Sequence, residues 1–437
     1  MFEIRVSTGN DIGNNEQAIY IEGKLIRQPS VYASAVSIPW TDDETDVPKN
    51  LKNIYDNLVV SIISTAVPTG TYLIGRHALK TVGESVVSLY LKGNSNSKAH
   101  QNVPYVNTLG LHAARAVELA FSKLNKLPQE IRLIVNQATA LPVKQHSPAN
   151  VTKMMDGFMK GNHTVTVHLG LTTKVDVKIE FEYTHVLQEG TPPIFALQMD
   201  SESNWRTGIY DVIGENKELQ TENDLFTEFA STYELGDIDG SYLEGKNILH
   251  ADLGDGTADS PFTRGDTVDK DFCDGTNHGV GHAIVNAVDD LLNLAPYAFN
   301  SISRQQYSDI LKSQFSPRKH KFLAEAKQAF QPHLENQVNQ IMQGLSDQIL
   351  KIGPNEIDII AVYGGGSILM RDSIHDKLKT LADNTRIQLF YIPAKYAVTL
   401  NAEGLDWFVR SPIYKGLKAD YLSKNSAGKT KIAAKAE

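Results

Sequence analysis

The chain predicts an α/β protein of two lobes, each a sheet covered by helices, facing each other across a cleft. Three observations lead there. Its 437 residues are too many for one small core and suit two lobes of ordinary domain size. Strand and helix patterns alternate through the second half, as a helix-covered sheet requires. Two Asp-x-Gly loops, each at the mouth of a strand, stand about one domain apart, at Asp11 and at Asp252.

The elements follow in order. Residues 2–6 and 18–21 read as strands with the polar segment 7–15 between them, and Glu22-Gly23-Lys24 turns the chain into Leu25-Ile26. Further strands are expected at 58–63 and 71–74, and a helix over 105–124 from the spacing of Leu109, Ala113, Ala116, Val117 and Ala120. Residues 131–135 form a short buried strand. Val175, Val177, Ile179 and Phe181 alternate with charged residues, a strand with one wet face. Between 198 and 246 the pattern fades into a polar, acidic surface insertion centred on residues 218–224. It resumes with strand 248–251, a Gly/Asp-rich loop and helix 281–294. A long helical stretch, 319–350, contains Pro332 as a kink. Strand 357–363, a glycine run and helix 372–382 follow. The tail from 421 to 437 holds lysines and small residues with little to bury, and is expected to be disordered.

Composition narrows the function classes. Hydrophobic residues at 41% and charged residues at 21% are those of a chain that folds in water. The N-terminus alternates apolar and polar residues and lacks a secretion signal, and no run of about 18 apolar residues could span a membrane. A cytoplasmic protein without membrane attachment is expected. The single cysteine, Cys273, rules out an internal disulfide and a cysteine zinc cluster. A net charge of −9 argues against direct nucleic-acid binding, so any link to DNA is expected through a partner. The histidines show no metal-ligand spacing on a shared helix face.

Three loops carry the chemistry. The strongest is Asp252-Leu253-Gly254-Asp255-Gly256-Thr257-Ala258-Asp259, directly after an apolar strand. Its glycines let backbone N–H groups turn inward as an anion nest, Thr257 adds a hydroxyl, and Asp252 can hold the water shell of Mg²⁺. Asp11-Ile12-Gly13-Asn14-Asn15 repeats Asp-x-Gly in a similar setting, although any tight turn favours such residues. Gly364-Gly365-Gly366-Ser367 lies between a strand and a helix expected after Arg371, where a bare backbone can lie against a flat ring or sugar. The Walker pattern Gly-x-x-x-x-Gly-Lys-Ser/Thr is absent.

Taken in order, Asp-x-Gly-Asn, Asp-x-Gly-x-Gly-Thr-x-Asp and Gly-Gly-Gly-Ser resemble the two phosphate motifs and the adenosine motif of the actin/Hsp70/sugar-kinase superfamily. Tyr72-Leu73-Ile74-Gly75-Arg76-His77-Ala78, Thr139-Ala140-Leu141-Pro142-Val143, Asn277-His278-Gly279-Val280-Gly281 and Asn401-Ala402-Glu403-Gly404-Leu405 resemble the bacterial plasmid-segregation actins of the ParM type. Coverage runs from the first strand to Leu405, apart from the insertion. Two departures stand out: the first motif is entered through the polar Ser7-Thr8-Gly9-Asn10, and Ala18 occupies the position of a lysine common in the family.

The resemblance implies an actin-like fold and an ATPase that polymerises into filaments, with filament turnover driven by ATP hydrolysis. ATP, or alternatively GTP, and Mg²⁺ are the implied cofactors. Asp11 and Asp252 would serve the metal, chiefly through water. Gly13, Asn14, Asn15, Gly254, Asp255, Gly256, Thr257, Gly364, Gly365, Gly366 and Ser367 would bind the nucleotide. Glu189, with Gln188 second, matches the stretch that orients the attacking water in ParM-like proteins. The implied partners are further copies of the chain and a DNA-binding adaptor on a centromere-like plasmid site. The expected lobes are 1–247 with a return at 391–420, and 248–390. A small-molecule kinase of the sugar type remains the alternative, though no second polar constellation for a substrate hydroxyl is evident.

Overall fold

The computed structural model describes residues 1–39, 45–80, 86–90, 97–200, 202–207, 210–213, 219–222, 225–265 and 267–433, side chains of 210–222 and 425–433 excepted. Its first sheet has ten strands: β1 Phe2–Ile12, β2 Glu16–Ile21, β3 Lys24–Pro29, β4 Val31–Ala35, β5 Val59–Ile63, β6 Gly70–Ile74, β7 Val86–Ser88, β8 Glu130–Leu141, β9 His163–His168 and β10 Lys174–Gln188. Their order is β3-β2-β1-β8-β10-β9-β5-β6-β4-β7. The centre is parallel, β1 against β8 and β8 against β10, so it must be covered on both faces. Helix Asn102–Leu124 supplies Val106, Leu109, Ala113 and Val117 to one face. Leu405, Phe408 and Tyr414, from the C-terminal helices, cover Ala138, Ala140 and Tyr183 on the other.

After a hairpin of β11 Tyr210–Ile213 and β12 Leu219–Glu222 comes a seven-stranded sheet. It comprises β13 Asn247–Leu253, β14 Ala258–Ser260, β15 Phe262–Arg264, β16 Thr267–Val268, β17 Asp274–Thr276, β18 Ile359–Tyr363 and β19 Gln388–Tyr391. Strands β13, β18 and β19 run parallel, and every residue of β18 is buried. Helices Val280–Leu294, Leu323–Ile352 and Gly365–Thr385 bury Ile284, Leu291, Phe330, Ile341, Ile374 and Leu378 against one face of this sheet. Pro332 lies within the second of them.

Five sequence expectations change, the first being that the short strand expected at 131–135 runs from Glu130 to Leu141. Strand β1 does not end at Val6 but continues through the polar stretch to Ile12, because its polar side chains find buried partners. Asn10 Nδ2 donates to Thr108 Oγ1 at 3.0 Å and to Gln137 Oε1 at 3.2 Å, and Gln17 Nε2 donates to Asn10 Oδ1 at 2.7 Å. Thr8 Oγ1 lies 3.0 Å from His112 Nε2. The 198–246 segment is not all surface: Leu225, Phe226, Phe229 and Leu243 are buried against Ile359 and Phe390 on the second sheet. Glu218, Asn223 and Asp224 of its acidic centre lie outside the described residues. The third helix begins at Gly365, not after Arg371, so most of the glycine run is its first turn. Helix Pro412–Ala433 extends into the segment expected to be a disordered tail, and residues 434–437 lie outside the described residues.

Candidate nucleotide cleft

Parallel strands end together, and the loops leaving their C-terminal ends converge. Here β1 ends beside Asp11, β13 at Leu253 just past Asp252, and β18 at Tyr363 just before Gly364. All three loops line one cavity of about 250 Å³. On its wall are Asp11, Gly13, Asn14, Asn15, Glu189, Asp252, Gly254, Asp255, Thr257, Gly364, Gly365 and Gly366. Gly256 and Ser367 are the two expected nucleotide-binding residues not on that wall. The Gly256 carbonyl lies 3.0 Å from His282 Nε2. Ser367 is buried and its hydroxyl donates to the Gly364 carbonyl at 2.8 Å, closing the first helical turn.

The glycines are dictated by close approach. A Cβ on Gly366 would sit 2.5 Å from the Gly254 carbonyl oxygen, and one on Gly364 would sit 2.4 Å from an Asp252 carboxylate oxygen. Gly364 also has φ +91°, a conformation that favours glycine. A Cβ on Gly365 would meet nothing within 4 Å, and this residue lines the cavity. The helix starting there brings its first turn, the positive end of its dipole, to the cavity wall. Gly281, in the Asn277–Gly281 run, abuts the Asp255 carboxylate, and its N–H donates to the Asp255 carbonyl at 2.7 Å. Arg304 ties the loops together, pairing with Asp255 and donating to the Asn14 carbonyl at 3.0 Å. Asn15 Nδ2 donates to Ser308 Oγ at 3.2 Å.

Glu189 follows β10 directly. Its N–H donates to the Leu141 carbonyl at 2.8 Å, and the next residue, Gly190, turns the chain with φ +80°. The Tyr363 hydroxyl donates to the Gly190 carbonyl at 3.1 Å. Glu189 is thereby set into the cavity wall, whereas Gln188 does not line it. Lys98 Nζ lies 2.6 Å from Glu189 Oε1, in an ion pair whose side chains are 4% and 11% exposed.

Acidic groups crowd the same space. Burial first, then the Glu189 charge, raises Asp11 to about 7, against the pull of Lys98. Burial likewise raises Asp252 to about 7; a 2.7 Å hydrogen bond from Asn401 Nδ2 opposes this, while Glu189 and Asp11 reinforce it. Asp259, buried and accepting from Thr257 Oγ1 and the Val143 N–H, is raised to about 8, by burial first and then by Glu189. Lys98 is lowered by burial, but Glu189, Asp11 and Asp259 outweigh this and hold it above its ordinary value. Such a site favours the arrival of a cation.

No family model matches the sequence, and no curated protein sequence matches it. Solved structures do. Alp7A, described as an actin-like protein, is 15% identical over 98% of this chain and 100% of its own, with a TM-score of 0.58. The fold is actin-like. A non-polymerisable quadruple mutant of pCBH ParM is 15% identical over 93% of this chain and 99% of its own, with a TM-score of 0.56. A Bacillus thuringiensis ParM hybrid containing two ParM mutants, solved with ADP, is 14% identical over 94% of this chain and 49% of its own, with a TM-score of 0.51. At these identities the likeness is one of fold.

Within this actin-like frame, sequence reasoning missed Lys98, Asn401 as the partner of Asp252, and Arg304 as the link between two loops. Asn401 stands in a run already noted for its resemblance. Lys98 and Arg304 carry no local motif; they reach the site only through the chain's topology.

Proposed function

We propose that this chain is a nucleoside-triphosphate hydrolase that polymerises, with the nucleotide in the cleft governing subunit contacts. The observation that carries this is the meeting of both Asp-x-Gly loops and the glycine run on one cavity, in an actin-like fold. Phosphates would lie against the backbone N–H groups of 13–15 and 254–257, with the nucleoside beside 364–366. The oxygen-only set of Asp11 and Asp252, both held toward protonation by burial, fits a hard divalent cation such as Mg²⁺. Among the described residues no group of three metal-ligating side chains forms, so phosphates and water would complete its shell. When bound, Mg²⁺ would neutralise phosphate charge. Glu189, which lines the cavity where Gln188 does not, would orient the attacking water.

ATP is the favoured nucleotide, with GTP as the alternative. Two structural neighbours support the reading: one, a ParM hybrid, was solved with ADP, and another is a ParM mutant that does not polymerise. We assign the lobes to 1–247 with the return at 391–420, and to 248–390, with residues 225–243 packed on the second sheet. Head-to-tail association that does not close into a ring propagates as a filament. Segregation of plasmid DNA in the cytoplasm, through a DNA-binding adaptor, completes the proposal; no helix among the described residues is long and apolar enough to cross a membrane. The test is phosphate release by the purified chain with Mg-ATP or Mg-GTP. Saturable release that chelation of Mg²⁺ abolishes supports the reading, and the absence of release with either nucleotide refutes it.

A further inference from the structure

Position 18, where the resemblance implies a lysine, carries Ala18, which is 3% exposed on the cavity wall. The cleft has an ammonium nevertheless, brought from a different element. Lys98 opens the short 3₁₀ turn Lys98–His100, capped by the Ser97 hydroxyl. Its N–H donates to Gln145 Oε1 at 3.0 Å, and the Tyr105 hydroxyl donates to the adjoining Ala99 carbonyl at 2.7 Å. The backbone is thus pinned while a flexible four-carbon stem carries the charge into the cavity.

There the ammonium is paired with Glu189, the residue assigned to the attacking water. The pair is poorly explained as a stability device. Burying two charges carries a desolvation penalty that their attraction must first repay, and a well-packed apolar pair is often as stable. It also engages Glu189 Oε1, which a water would otherwise use. The terminal group of a triphosphate offers an ammonium a more highly charged acceptor than one carboxylate does. A diphosphate ends one group earlier.

We propose that Lys98 contacts the terminal phosphate of a bound nucleoside triphosphate, and that its ion pair with Glu189 holds that carboxylate idle until the triphosphate takes the ammonium away. The inference rests on the nucleotide reading above. Triphosphate binding releases Glu189 to accept a hydrogen bond from water, whereas with diphosphate the pair stays closed. Discrimination between the two nucleotides and readiness for hydrolysis are then set by one side chain.

The test compares affinities of the full chain for a non-hydrolysable ATP analogue and for ADP, with Mg²⁺, by calorimetry. Lys98→Met alone would leave Glu189 buried and unpaired, so the decisive variants are Glu189→Gln and the double variant Lys98→Met/Glu189→Gln, which buries no lone charge. Glu189→Gln should bind the analogue several-fold more tightly than the parent, since the competitor for Lys98 is gone. The double variant should lose about tenfold or more of that affinity, the worth of a charge-assisted hydrogen bond, with ADP shifted far less. Lys98→Arg should keep most of the preference. If the double variant keeps the analogue-to-ADP ratio of Glu189→Gln, Lys98 does not contact the terminal phosphate. If the parent binds neither nucleotide, both this inference and the reading beneath it fall.

Discussion

Replacing Asp252 with Asn should stabilise the nucleotide-free protein at pH 8. In the folded chain burial raises Asp252 to about 7 from an ordinary 3.8, while Asn401 donates to one of its oxygens. A folded-state value above the unfolded one means that protons favour the native state. The contribution is fully present below about pH 4 and is lost as pH rises to about 7, above which it stays lost. The shift of about three units, at 1.36 kcal/mol per unit, corresponds to a penalty of order 4 kcal/mol at pH 8. Asn has the same shape, its carbonyl oxygen still accepts from Asn401, and it carries no charge. Urea denaturation at pH 4 and pH 8 should therefore show the variant gaining up to about 4 kcal/mol on the parent at pH 8 and almost nothing at pH 4. The same substitution should abolish stabilisation by Mg-ATP. Equal pH slopes in the two proteins would refute the claim that Asp252 is strained toward protonation by its site.

Three further outcomes are expected. Glu189→Ala should slow phosphate release about a hundredfold or more while nucleotide still binds, so that any filaments persist; lost affinity with unchanged turnover of the bound fraction would contradict this. Gly366→Ala must push the first turn of its helix off the Gly254 carbonyl, and should weaken nucleotide binding about tenfold or more in calorimetry at a cost of about 1–3 kcal/mol in stability; unchanged affinity would show that the two loops need not meet. Asn10→Leu removes a side chain that joins Thr108, Gln137 and Gln17, and should cost about 2–4 kcal/mol in urea denaturation; a neutral result would deny that this network holds β1 in place.

Local chemistry was legible in the sequence, and remote pairing was not. The loops at Asp11, Asp252 and Gly364 could be read because glycine and aspartate at a strand mouth carry their meaning within a few residues, and all three meet on the cavity. Ser7-Thr8-Gly9-Asn10 was misread as loop because its polarity is satisfied from afar, by His112, Thr108 and Gln137. Gly9 fits because a helix lies on it: a Cβ there would meet Asp406 N at 2.2 Å. Phe226 and Phe229 gave no periodic signal, since a short helix Thr227–Thr232 sets them on Phe390 without a repeating face. Lys98 stood in a polar stretch with nothing to mark it; only the fold brings it 91 residues along the chain to Glu189.

Self-assembly controlled by the cleft is the central claim, and sedimentation across a concentration series with ATP, ADP and a non-hydrolysable analogue tests it most directly. With ATP or the analogue the chain should pellet above a critical concentration, leaving a constant soluble fraction, and with ADP that threshold should rise. A chain that stays in the supernatant with all three at tens of micromolar, where contacts of this strength become visible, would contradict the account.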